Sequence, residues 1–217
     1  MNDKKSFFSR AVFYLFGLFL IACGAVFSIY SGLGTSPISA LPYAISVATG
    51  IEFGTCTTAL FTLYLFIQLV LVRKGFNQII ILQLLCSIIF GILLSIIKNM
   101  IGPFYLQTYA SRLATLSVSI MMTSFGLLLY LNARVVPLPP EGIVLAFAAK
   151  LNRPFHDMKI ALDVSSVLLG CFITFAVLGY IDGIREGTVI AAIATGKLVA
   201  IISKSIKPKL ETFPGKN

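Results

Sequence analysis

Three ionisable side chains stand within or beside long apolar stretches of this 217-residue chain: Glu141, Asp163 and Lys197. A charge in hydrocarbon is costly, so each is a candidate for proton, ion or ligand chemistry with a partner. Glu141 follows two prolines in "VVPLPPEG", residues 135–142. Proline suits the first turn of a helix, and a carboxylate there meets the positive end of the helix dipole. Two readings of Glu141 follow: a simple helix cap, or a carboxylate that binds a proton or cation. Lys197 sits in "VIAAIATGKLVAIIS", after ten uncharged residues that follow Glu186. It either snorkels toward the headgroups near Lys204 or faces inward, with Glu141 and Asp163 as partners. Asp163 comes four residues after Lys159, so the two can pair on one helix face. Alternatively, Asp163 lines a polar cavity with Ser165 and Ser166.

A second proline break lies earlier, in "SGLGTSPISALP", residues 31–42. Pro37 and Pro140 are placed to start two short helices, whose free N–H groups favour anionic groups. Thr35, Ser36 and Ser39 surround the first start; Glu141 and Gly142 belong to the second. The candidate binding residues are therefore Thr35, Ser36, Pro37, Ser39, Glu141, Gly142, Asp163 and Lys197. Irregular backbone at membrane depth survives only where protein buries it or a wet cavity adjoins it. The breaks are thus either a transport site or a pair of interfacial loops, and depth in the bilayer decides.

The elements that position these residues are apolar. The chain is 58% hydrophobic and 12% charged, with a mean hydropathy of +0.96. Residues 11–51, 53–72, 75–97, 113–133 and 164–181 contain no charge. A membrane helix needs about 20 mostly apolar residues. These runs exclude the short alternating strands of an outer-membrane barrel. The expected fold is an all-α polytopic membrane protein. Six full spans fall at about 11–31, 55–73, 77–97, 112–132, 160–181 and 187–203. Two short helices, about 37–50 and 141–151, cover roughly 17–21 Å at 1.5 Å per residue, too little for a full crossing, and read as re-entrant or half helices.

The order long, short, long, long occurs twice. A Phe-Gly-Leu within a span precedes each proline break, and a Phe (Phe53, Phe155) follows each short helix. One membrane domain, 1–217, then holds two tandem repeats, 11–100 and 111–205. Three spans per repeat invert the second copy across the membrane. The net charge of +9 does not point to nucleic acid, because the basic residues flank the spans. With a cytoplasmic N-terminus, 13 of the 17 Lys and Arg lie inside and Lys98, Arg112 and Arg185 outside. Both termini are then cytoplasmic, in six-span and eight-span arrangements alike.

Other chemistries find little support. Cys23, Cys56, Cys86 and Cys171 lie in apolar segments without Cys-x-x-Cys spacing and read as packing thiols. His156 has no ligand cluster around it in sequence, so no metal or other cofactor is expected. Phosphate-binding, zinc-protease and hydrolase motifs are missing, which argues against an enzyme. The "LIAC" at residues 20–23 resembles a lipoprotein signal, but the apolar run continues to Tyr30, longer than a cleavable segment.

The chain resembles the YczE/YyaS/YitT-type bacterial integral membrane proteins. "GLGTSPISAL", residues 32–41, is similar to their Gly-x-Gly/Ala-x-Pro block, with Ile38 and Ser39 where an aromatic and an acid are usual. "PLPPEGIVLAF" offers Glu141-Gly142 as the second copy's acid-glycine pair. Lys159 and Asp163 match a basic-x-x-x-acid step, and Gly187 to Val189 a Gly-Thr-Val block, with Lys197 in place of a common proline. The resemblance implies a multi-pass protein of the bacterial inner membrane, of a kind often taken to be transporters. The expectation is a small-molecule permease with Glu141, Lys197 and both proline-started ends around one central site for an anionic ligand. The alternatives are a membrane-embedded substrate-binding subunit that needs an energising partner, and an accessory membrane protein without transport. Expected partners are the lipid bilayer, the unidentified ligand, and either a second copy of the chain or a partner subunit.

Overall fold

The computed structural model describes residues 2–72, 78–102, 105–133 and 135–210. Arg73, Lys74 and Arg134, which contribute to the expected charge asymmetry, lie outside them. The described residues form eight helices and no strand: α1 (Asn2–Ser31), α2 (Pro37–Thr49), α3 (Phe53–Val72), α4 (Gln78–Ile101), α5 (Tyr109–Ala133), α6 (Pro139–Leu151), α7 (Phe155–Leu178) and α8 (Glu186–Leu210). Five are long and apolar enough to cross a bilayer: Ser9–Ser31, Phe53–Val72, Ile79–Ile101, Tyr109–Ala133 and Asp157–Leu178. The expected sixth span, α8, has the length at 25 residues but carries Glu186, Lys197 and further lysines toward its end. The long helices turn large apolar side chains outward, such as Phe66 on α3 and Leu168, Phe172 and Phe175 on α7. Such continuous apolar surface suits lipid, and the chain is a multi-pass membrane protein.

The two short helices are built by the same local device. Each has 13 residues and begins on a proline. The preceding residue is extended, Ser36 at ψ 150° and Leu138 at ψ 157°, as the ring of a following proline requires. The second helix starts on Pro139, one residue before the expected Pro140, because Leu138 already takes the extended cap position. Each helix ends on a left-handed residue, Gly50 or Asn152, whose N–H closes the last turn onto Ser46 or Ala148.

Helices α1 and α5 form the central pair, with α4 beside α1 and α8 beside α5. The short α2 packs on α7 and α3; the short α6 packs on α3 and α7. Small residues let backbones approach in the absence of water. A Cβ on Gly17 would stand 2.8 Å from the Gly126 carbonyl oxygen, and one on Gly126 2.7 Å from that of Gly17. Higher on the same crossing, Ser119 Oγ donates to the Gly24 carbonyl at 2.7 Å. The main core joins α1, α3, α4 and α5 residues such as Leu18, Val26, Phe61, Phe90 and Tyr130 with Leu138 and Ile143 at the start of α6.

Candidate functional site

The two proline breaks are folded against different partners. In the first, Thr35 N–H donates to the Gly183 carbonyl and Gly187 N–H donates to the Leu33 carbonyl, both at 2.8 Å. Ser28 Oγ donates to the Gly34 carbonyl at 2.8 Å. Gly34 has φ +125° and lies so close to Arg185 and Thr188 that a side chain has no room there. The segment after α1 is thus clamped to the segment before α8. Between them is a cavity of about 300 Å³ lined by Thr35, Tyr43, Asp182, Gly183 and Arg185, among others. Tyr43 OH donates to Asp182 at 3.4 Å, and Arg185 donates to the Gly32 carbonyl at 3.3 Å and to Glu186. The cavity therefore presents charges of both signs.

Ser36, Pro37 and Ser39 form the first turn of α2. Ser36 is its cap residue, but the hydroxyl donates to Ser39 Oγ at 2.9 Å instead of capping the helix. Thr35 is 1% exposed, and its hydroxyl is enclosed without a hydrogen-bond partner.

The second break folds into a buried polar cluster. Leu138 N–H donates to Tyr130 OH. Gln83 Nε2 donates to the Pro137 carbonyl at 3.0 Å, and Gln68 Nε2 donates to Gln83 Oε1 at 3.3 Å. Gly142 is buried, and a Cβ there would collide with the amides of Gln68 and Gln83. On the neighbouring side of α6, Glu141 is within electrostatic reach of Lys159 and Asp163 on α7. Tyr14 of α1 and Tyr130 of α5 also lie within electrostatic reach of it, and their rings lie 5.3 Å apart. The Glu141 residue is partly buried, but its Oε2 is shut off from solvent and lacks a partner; so do Gln68 Oε1 and Tyr14 OH.

Magnitudes weigh against a simple cap role for Glu141. A helix dipole stabilises a carboxylate by about 0.3–1 kcal/mol, and ~2 kcal/mol in partly buried settings. Withdrawing an ion from water costs several kcal/mol unless partners offset it. The carboxyl does turn toward its own backbone N–H. The nearby cation, Lys159, is bonded to Asp163 at 2.6 Å, the i,i+4 pair expected from the sequence.

The eight candidate residues do not converge on one centre. Thr35 lines the cavity, and Ser36, Pro37 and Ser39 follow it at the start of α2; Glu141, Gly142 and Asp163 belong to the other cluster. Tyr14 marks one cluster on α1 and Ser28 the other, 14 residues apart, or about 21 Å at the helical rise. Lys197 joins neither: it is exposed on α8, which packs on α5 and touches α2, and no hydrogen bond or ion pair ties it to Glu141 or Asp163. Tyr43, Asp182 and Arg185 were not singled out from the sequence, because their grouping depends on the 180–187 segment folding back onto the first break. Gln68 and Gln83 are uncharged residues near span ends, and nothing in the sequence sets them apart.

A family model for a family of unknown function, DUF6198, matches residues 8–204. The uncharacterized protein YyaS of Bacillus subtilis (strain 168) is 28% identical over 140 residues, covering 63% of this chain and 67% of that protein. An uncharacterized protein of Haemophilus influenzae is 25% identical over 186 residues, covering 85% of this chain and 79% of its own length. No solved structure matches. The similarity to YyaS agrees with the resemblance seen in the motifs, and the chain belongs to the DUF6198 family.

Proposed function

We propose that the protein is a small-molecule permease of the bacterial inner membrane, with its ligand site in the cavity at the first proline break. The observation that carries this reading is the 300 Å³ cavity lined by Thr35, Tyr43, Asp182 and Arg185. It holds charged and hydroxyl groups where broken backbone meets the end of a short helix, the setting in which transporters bind solutes. Arg185 suits a carboxylate or other small anionic group. Asp182 suits a cationic group on the same ligand.

The neighbour relations support two inverted halves, 11–100 and 111–205. Exchanging α1 with α5, α2 with α6, α3 with α7 and α4 with α8 turns the α2–α7 contact into α6–α3. It also turns α1–α4 into α5–α8 and α2–α3 into α6–α7. The α3–α4 contact alone lacks a counterpart of similar extent. In this reading α8 is the sixth crossing, α2 and α6 are half helices, and both termini are cytoplasmic.

Uptake into proteoliposomes, screened with small carboxylates, zwitterions and phosphates, tests the proposal. Asp182→Asn and Arg185→Gln should each weaken saturable uptake, whereas Lys197→Met should leave it unchanged. Saturable uptake that survives both cavity substitutions intact overturns the site.

A further inference from the structure

We propose that Glu141 is a proton-binding site: the folded chain holds its carboxyl protonated at neutral pH and exchanges that proton with water past Lys159 and Asp163. The geometry carries this. Oε2 is enclosed and receives no hydrogen bond. The cation within reach, Lys159, is already committed to Asp163 at 2.6 Å. Tyr14 OH, beside the Cys86 thiol and within electrostatic reach of Glu141, is also enclosed and makes no hydrogen bond of ordinary geometry. Tyr14 is 3% exposed. An ionised Oε2 that is enclosed with no donor in place is costly, and one added proton removes the charge.

A metal ion answers the same need less well. A cation at the start of α6 would meet the positive end of that helix. Among the described residues no group of three or more His, Cys, Asp and Glu side chains could hold a metal. A proton needs no coordination shell.

The groups that face the site from the packed elements are Tyr14 on α1, Cys86 on α4, Tyr130 on α5, and Lys159 and Asp163 on α7. Tyr64 on α3 joins through Lys159 and Asp163. The Lys159 and Asp163 side chains are each 27% exposed near the start of α7, at the outer edge of the cluster. The exchange is a simple proton transfer. Hydronium delivers a proton to Oε2 and leaves as water; on release, the O–H bond breaks and water takes the proton.

Naming the proton as the coupling ion rests on the transport reading; its presence on Glu141 does not. Infrared spectroscopy of the full-length protein in lipid nanodiscs reads it directly. At neutral pH the wild type should show a protonated-carboxyl stretch that Glu141→Gln lacks and that fades on alkaline titration. Glutamate labelled with carbon-13 should shift the wild-type band to lower frequency, and replacing Glu52, Glu186 and Glu211 by Gln together should leave the band in place; the two results assign it to Glu141 even if Glu141→Gln fails to fold. A wild-type spectrum without the band, or a band that ignores the label, overturns the proposal. The band together with uptake indifferent to a pH gradient keeps the site and removes its coupling role. Proton-driven uptake without the band removes the site and keeps transport.

Discussion

Gly17 on α1 and Gly126 on α5 face each other across the central crossing, each occupying the space that the other's side chain would need. Both are the middle residue of a Phe-Gly-Leu, so the two copies of that tripeptide pack on one another. Hydrocarbon gives helices no hydrophobic reason to associate, and close backbone approach supplies the dispersion contacts instead.

Filling this contact should be costly. Overpacking typically destabilises by about 1–3 kcal/mol, and here backbone atoms on both sides have nowhere to retreat. Gly126→Val should therefore lower the melting temperature followed by fluorescence-detected size exclusion, and Gly17→Val should do the same. Gly196→Ala is the contrasting case, with nothing within 4 Å of the added carbon. It should be neutral or stabilise by up to about 1 kcal/mol, as alanine does inside a helix.

Gln83 holds the second break in place. It is fully buried, donates to the Pro137 carbonyl at 3.0 Å and accepts from Gln68. Gln83→Leu keeps the volume but strands the Pro137 carbonyl and the Gln68 amide. Unsatisfied buried groups cost about 1–3 kcal/mol each. The same melting assay should show a clear loss, and Gln83→Glu should be no milder, because an ionised carboxylate there is fully buried and turns an acceptor toward the Pro137 carbonyl. Equal stability of Gln83→Leu and wild type would remove Gln83 from this role.

Lys159 and Asp163 form a short ion pair, yet each side chain remains 27% exposed. Pairs at i,i+4 on accessible surfaces contribute about 0.3–0.5 kcal/mol. A double-mutant cycle with Lys159→Met and Asp163→Asn should accordingly give a coupling energy below about 1 kcal/mol, shrinking as salt rises. A much larger coupling would mean that the pair is desolvated.

Features set by a few neighbouring residues were legible in the sequence. The proline starts of α2 and α6, their lengths and the Lys159–Asp163 pair follow from ring sterics and from residues four apart sharing a helix face. The Phe-Gly-Leu repeat was visible, but the sequence does not say that its two copies touch; that depends on α1 and α5 being spatial neighbours. Nor does the sequence say whether the two breaks share one centre. Two matching breaks suggest convergence, but Thr35 is fastened to Gly183 past the end of α7, whereas Glu141 sits beside the first turns of that helix. Lys197 was singled out by its apolar flanks, which a helix facing lipid on several sides supplies as readily as a helix facing a cavity.

The proposed inverted arrangement makes a prediction about sidedness. From the end of α2 to the end of α6 the chain runs through α3, α4 and α5, each long and apolar enough to cross. Three crossings put those two ends on opposite faces of the membrane. Lys150, Arg153 and Lys159 cluster near the end of α6, while no basic residue lies between positions 11 and 72. The positive-inside rule therefore places the end of α6 in the cytoplasm and that of α2 outside. Thr49 and Lys150 are both exposed. In a chain whose four cysteines are replaced by alanine, a membrane-impermeant maleimide should label Thr49→Cys in intact spheroplasts. It should reach Lys150→Cys only after permeabilisation. Labelling of both from the same side would mean an even number of crossings between them, and would reject the inverted repeat while leaving the helical bundle itself intact.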